Sequence, residues 1–321
     1  MFIDRLIDKI KKKNNATVVG LDPSIEYVPR CVKIPIFSLN GKGVDSAAKA
    51  IYKFNKEIID NVYDVVPAVK LQLAYYEMYG VEGVRAFYDT VKYAKEKELI
   101  VIADGKRNDI GSTAKSYSNA YIGKVFIEEG LNKEVFSTDA LTVNPYLGED
   151  GIEPFIEDCK LYDKGIFVLV KTSNKSSGQL QDLKTEDGRS LYEIVAGYVS
   201  TWGESVKGIY GYSSVGAVVG ATYPEQAKVL RKIMKDAYIL VPGYGAQGGT
   251  ADDAAVNFNQ DGLGAVVNAS RSIMCAYRQD RWKELYKEEA FGEAARSECL
   301  RMKEDLNNSI TKVLSSNKWG D

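Results

Sequence analysis

Histidine is absent from all 321 residues. Without an imidazole there is no Ser-His-Asp or Cys-His triad, no ring nitrogen to act as general base near neutrality, and no histidine metal ligand. Cysteine is scarce. Cys31, Cys159, Cys275 and Cys299 lie far apart with no C-x-x-C spacing, so neither a zinc site nor a dithiol motif is expected and no metal is assigned. Four cysteines are too few for a disulfide framework at this length and fit a reduced, cytoplasmic setting. Charge of one sign is not in excess either. Lys+Arg 42 against Asp+Glu 44 gives a net charge of −2, with no basic stripe, so nucleic acid is not an expected partner. Any anionic ligand must then be held by local charge. Long apolar runs are missing as well: no window approaches the roughly 18 residues of a spanning helix, which predicts no membrane association. Charges break the first residues, Met1 to Lys13, in a way that a signal peptide does not tolerate. Phe2, Ile3, Leu6, Ile7 and Ile10 instead share one helical face, predicting an N-terminal helix over 1–15 that packs on the protein's own body.

What is present is an ordinary globular composition, 45% hydrophobic and 27% charged. Eight short, apolar, β-branched runs recur, at 17–21, 68–71, 99–103, 140–143, 165–170, 215–219, 238–241 and 265–267. Such runs suit parallel strands buried on both faces, and helical stretches between them imply βαβ units. The spacing predicts an α/β fold: a single (β/α)8 TIM barrel over 1–321 with extra terminal helices and a long lid loop. Two segments read as irregular, an insertion over 23–46 carrying three prolines and a polar, glycine-bearing lid over 173–190. A C-terminal helical region is expected over 282–316.

The strand ends carry the chemistry. The third run, Leu99 to Ala103, leads into Asp104-Gly105-Lys106-Arg107-Asn108-Asp109. Side chains alternate along a strand, so Asp104 and Lys106 leave its tip on one side, and nearby acids favour the ammonium form of a lysine. Such a cation suits proton donation to carbon; it is equally a description of a surface ion pair. Other strand ends carry Asp22, Lys70, Asn144, Lys171 with Thr172, Thr222, and Asn268 with Arg271. Barrel enzymes gather their site where these ends converge. The run Gly243 to Gly249, holding four glycines and Gln247, lets backbone N–H groups approach an anion, and Arg271 offers bidentate contact at the next strand end. These features point to a barrel enzyme for a phosphorylated small molecule, working by proton transfer and carbanion stabilisation.

At these residues the chain resembles the orotidine 5′-phosphate decarboxylase family, in its longer subgroup. Gly20-Leu21-Asp22-Pro23, Val69-Lys70, the D-x-K-x-x-D run from Asp104 to Asp109 with Thr113 beyond it, Gln247 and Arg271 carry the likeness. The resemblance implies cofactor-free decarboxylation of orotidine 5′-monophosphate to uridine 5′-monophosphate, in pyrimidine biosynthesis. It further implies catalytic roles for Lys106, Asp104, Lys70 and Asp109. Substrate contacts are implied for Asp22 at the ribose, Thr172 and Ser173 at the pyrimidine, and Gln247 and Arg271 at the 5′-phosphate. In the family the equivalents of Asp109 and Thr113 enter the neighbouring subunit's site, which implies a homodimer with shared active sites. Three rivals stay open: a metal-assisted sugar-phosphate decarboxylase or synthase of the same superfamily, a class I aldolase forming a Schiff base on Lys70 or Lys171, and a non-catalytic nucleotide-binding protein.

Overall fold

The computed structural model describes residues 1–245 and 248–316. Eight strands close into a parallel barrel: β1 Thr17–Leu21, β2 Ala68–Gln72, β3 Ile100–Arg107, β4 Ala140–Val143, β5 Gly165–Lys171, β6 Ser213–Val219, β7 Ala237–Val241 and β8 Ala265–Ala269. Each strand pairs with its neighbours in sequence, and β8 closes on β1 through Thr17↔Val267, Val18↔Asn268 and Val19↔Ala269. Every residue of β1, β4, β6, β7 and β8 is buried. Helices cover the outer face while side chains fill the interior, which is why these strands lack the apolar–polar alternation of a one-sided sheet.

The N-terminal helix α1, Phe2–Lys13, buries the predicted face of Phe2, Ile3, Leu6, Ile7 and Ile10 and ends at Asn14 in the left-handed region. It seals the end of the barrel opposite the site. Phe2 meets Phe167 edge-on at 6.3 Å between ring centroids, and a Cβ at Gly165, the first residue of β5, would lie 2.2 Å from the Phe2 ring. Only glycine leaves room there.

The segment 23–46 departs from expectation. Arg30–Asn40 forms helix α2 and Val44–Val62 forms α3. Pro29 stands at the N-cap of α2, outside the hydrogen-bonded turns, and Pro35 lies inside on the exposed side. The latter forfeits one backbone bond, which the burial of Val32 and partial burial of Cys31 and Ile36 against the core offset. The segment 173–190 is largely ordered into a turn of 3-10 helix at Lys175–Ser177, a short helix at Gly178–Gln181 and a bridge between Lys184 and Ser190. In the C-terminal region regular α-helix starts only at Phe291 and runs to Ser316; residues 282–290 hold turns, a short irregular link and a 3-10 helix at Glu288–Ala290. A small antiparallel hairpin, Val125–Glu128 with Leu131–Lys133, stands outside the barrel ahead of β4.

Candidate active site

The C-terminal ends of the strands surround a cavity of about 650 Å³. Its floor is a chain of alternating charge. Asp22, just past β1, accepts from Lys70 Nζ on β2 at 3.2 Å; Lys70 Nζ also reaches Asp104 Oδ2 at 2.8 Å; Lys106 Nζ reaches Asp104 Oδ1 at 2.6 Å. The inner members are desolvated, Lys70 with 5% and Asp104 with 10% of the side chain exposed, whereas Lys106 stands 44% exposed at the cavity. Burial works against the charge on Asp104, but the Lys70 and Lys106 ammonium groups outweigh it and hold the carboxyl well below the usual carboxylate range. Burial likewise opposes the charge on Lys70, and Asp104 with Asp22 overcomes it, holding this ammonium above the usual lysine range.

Two neutral donors complete the shell of Asp104. Gln72 Nε2 donates to Oδ2 at 2.9 Å and Thr142 Oγ1 to Oδ1 at 2.8 Å. The sequence reading missed both, along with Tyr27, Tyr75, Asn174 and Ser270, which also line the cavity with Asn268, a residue already read at the end of β8. Tyr27 comes from the 23–46 insertion. Leu169, Val218 and Leu240 from β5, β6 and β7 give an apolar wall.

Asp22, Lys70, Asp104, Lys106, Thr172, Ser173 and Arg271 all line this cavity. Arg271 is exposed at the start of the short helix Arg271–Met274 after β8. Gln247 falls outside the described residues. Asp109 and Thr113 do not line the cavity of their own chain. Asp109 accepts from the Ile110 backbone N–H at 2.8 Å, and Thr113 is exposed in the first turn of the helix Gly111–Tyr121. The fourth charged member within one chain is therefore Asp22 and not Asp109. Lys171 is turned away, with its side chain fully buried, Nζ 2.5 Å from Asp182 and the rings of Tyr192 and Tyr223 beside it. A larger outer cleft of about 890 Å³ shares Arg271 and Tyr244 with the cavity but holds none of the charged chain. The charged chain lines the smaller space alone.

The arrangement can hold an anion at its rim and present a fixed ammonium beside a fixed carboxylate to a ring lying on the apolar wall. Among the described residues, no three His, Cys, Asp or Glu side chains group as metal ligands, and no helix is long and apolar enough to cross a membrane.

Known proteins resemble the chain along nearly all of its length. The model of the Orotidine 5′-phosphate decarboxylase / HUMPS family matches residues 18–282. An orotidine 5′-phosphate decarboxylase of Caldicellulosiruptor saccharolyticus is 44% identical over 310 residues, covering 97% of this chain and 99% of that protein. The corresponding protein of Rhodopirellula baltica is 44% identical over 305 residues, covering 95% and 98%. Among solved structures, OMP decarboxylase from Leishmania donovani superposes with a TM-score of 0.71 at 27% identity, over 97% of this chain and 98% of the other.

Proposed function

The chain belongs to the orotidine 5′-phosphate decarboxylase / HUMPS family, and on that premise we propose that it converts orotidine 5′-monophosphate to uridine 5′-monophosphate and carbon dioxide. The observation that carries the reading is the chain Asp22–Lys70–Asp104–Lys106, three buried or half-buried charges ending in an exposed ammonium. The C6–carboxylate bond of the pyrimidine breaks, its electron pair stays on C6, and carbon dioxide leaves. Lys106 stabilises that pair through its charge and then gives C6 a proton. Asp104, held ionised, stands where the substrate carboxylate departs, so repulsion falls as carbon dioxide forms. Lys70 keeps Asp104 charged and, with Asp22, is placed for the ribose hydroxyls. Thr172 and Ser173 suit the polar edge of the ring, and Arg271, with Gln247, the 5′-phosphate. Phosphate binding energy then favours closure of the 173–190 segment over the site.

The reaction so written needs no cofactor, and the chain fits a cytoplasmic enzyme. The active form is a homodimer in which Asp109 and Thr113 complete the partner's site. Their loop supports this reading: Ile110 is exposed, as are Tyr146 and Leu147 of the loop after β4, and a Cβ on Gly151 of that loop would meet Asp109 O at 3.0 Å and Leu147 Cβ at 3.4 Å. A Schiff-base aldolase is disfavoured, since Lys171 faces Asp182 and Lys70 is held as ammonium, which is not a nucleophile.

Loss of orotidine monophosphate absorbance, followed with and without chelator, tests the reading. Chelator-insensitive turnover is the expected result. The Lys106→Ala variant should lose turnover while retaining affinity for uridine monophosphate. Near-normal turnover in that variant would remove Lys106 from the mechanism, and sensitivity to chelator would point to the metal-assisted relatives.

A further inference from the structure

β3 and β4 pair regularly at Ala103↔Leu141 and again at Arg107↔Val143, so Asp104, Gly105 and Lys106 stand opposite Thr142 alone. Surplus residues on one strand have to leave the ladder. Lys106 absorbs the excess at φ 49°, in the left-handed region that a residue bearing a Cβ adopts only when its surroundings hold it there. Gly105 beside it leaves no room for a side chain, since an added Cβ would meet Leu73 Cδ1 at 2.6 Å. What holds Lys106 is a side chain. Its backbone N–H donates to Thr142 Oγ1 at 3.0 Å, and the same hydroxyl donates its one hydrogen bond to Asp104 Oδ1 at 2.8 Å. Thr142 is 1% exposed, so water does not compete for either bond.

On Asp104 the count is complete. Oδ1 takes Lys106 Nζ and Thr142, and Oδ2 takes Lys70 Nζ and Gln72. A carboxylate offers about four acceptor sites, and all are filled.

We propose that Thr142 is a positioning residue for the decarboxylation: its hydroxyl ties the left-handed backbone of Lys106 to the carboxylate of Asp104, and so fixes where ammonium and carboxylate stand about the reacting carbon. This rests on the decarboxylase reading above. Without the hydroxyl, Asp104 keeps three donors and can rotate, and the Lys106 N–H loses its acceptor. The ammonium then samples a wider volume at the end of its flexible stem. Binding of the nucleotide through ribose and phosphate uses other groups and is little affected.

The test compares Thr142→Val, which keeps the shape and removes the hydroxyl, with Thr142→Ser, which keeps the hydroxyl. Misplacement of a reacting group by about 1 Å costs on the order of 100-fold in rate, so kcat of the valine variant should fall roughly 10- to 100-fold. Affinity for uridine monophosphate, measured by calorimetry, should hardly change, and the serine variant should recover most of the lost kcat. Wild-type kcat in the valine variant would overturn the proposal. So would a serine variant as slow as the valine one, or nucleotide affinity falling in step with kcat. Wild-type protein that fails to turn over orotidine monophosphate would instead overturn the decarboxylase reading, which separates the two failures.

Discussion

At the residue scale, the site depends on one carboxylate kept charged in a desolvated place. Asp104 sits below the usual carboxylate range and Lys70 above the usual lysine range, each because of the other and of their outer partners. A depressed carboxylate contributes stability that is complete above its unfolded pKa, about 4, and is lost as pH falls through its lower folded value. The raised lysine contributes stability that is complete below its unfolded pKa, about 10.4, and is lost as pH rises through the folded one. The pair therefore stabilises the fold across the whole interval between. We expect Asp104→Asn to be less stable than wild type at pH 7 in urea unfolding, with the gap narrowing below about pH 4. A gap that stays constant down to pH 3 would mean that Asp104 titrates alike in both states. The ionised members of this network were legible in the sequence because a lysine between acids at a strand tip is an uncommon pattern. Gln72 and Thr142 were not. They are neutral and lie within strands, where their value is a hydrogen bond to a partner that only the closed barrel brings near.

At the scale of elements, all eight strands could be read from their apolar runs, because a parallel strand covered on both faces has almost no polar positions to confuse the pattern. The reading faltered where local chemistry and tertiary packing disagree. Three prolines in 23–46 marked a loop, yet Pro29 stands at the N-cap of α2 and Pro35 is carried on its exposed side. The hairpin at 125–133 is short and largely exposed, so it has no buried face to print a period. The end of β3 was placed at Ala103, but pairing resumes at Arg107 beyond the bulge, and a bulge leaves no mark in hydropathy. Helix α1 shows the converse, a face legible in sequence whose destination was not. Its Phe2 is 1% exposed against Phe167 and Gly165. Truncation of a buried phenylalanine costs about 3–5 kcal/mol, so Phe2→Ala should lower the thermal midpoint by several degrees while kcat of the folded fraction is retained. A fall in kcat without a fall in midpoint would assign α1 to the site and not to the barrel's far end.

At the scale of the whole molecule, the cavity of one chain holds every expected charged residue except Asp109. The twofold dimer with shared sites proposed above would give that residue its place. Lys106→Ala and Asp109→Ala variants, each inactive alone, should then complement when mixed and allowed to exchange subunits. Half of the molecules become hybrids and each hybrid has one intact site, so recovery should approach about a quarter of wild-type activity. No recovery, in a mixture shown to exchange, would return Asp109 to its own chain's site. No pattern along the sequence carries a geometric warrant for this proposed division of labour, because a surface that meets a second subunit differs little in composition from any other exposed loop.

The closure of β8 on β1 has a consequence in time. Thr17 finds its partner Val267 only after about 250 further residues have been made. At the roughly 5–20 residues per second of protein synthesis, β1 exists for on the order of ten to fifty seconds with one hydrogen-bonding edge open. Newly made chains are thus most prone to pair with one another late in translation, just before the eighth strand leaves the ribosome.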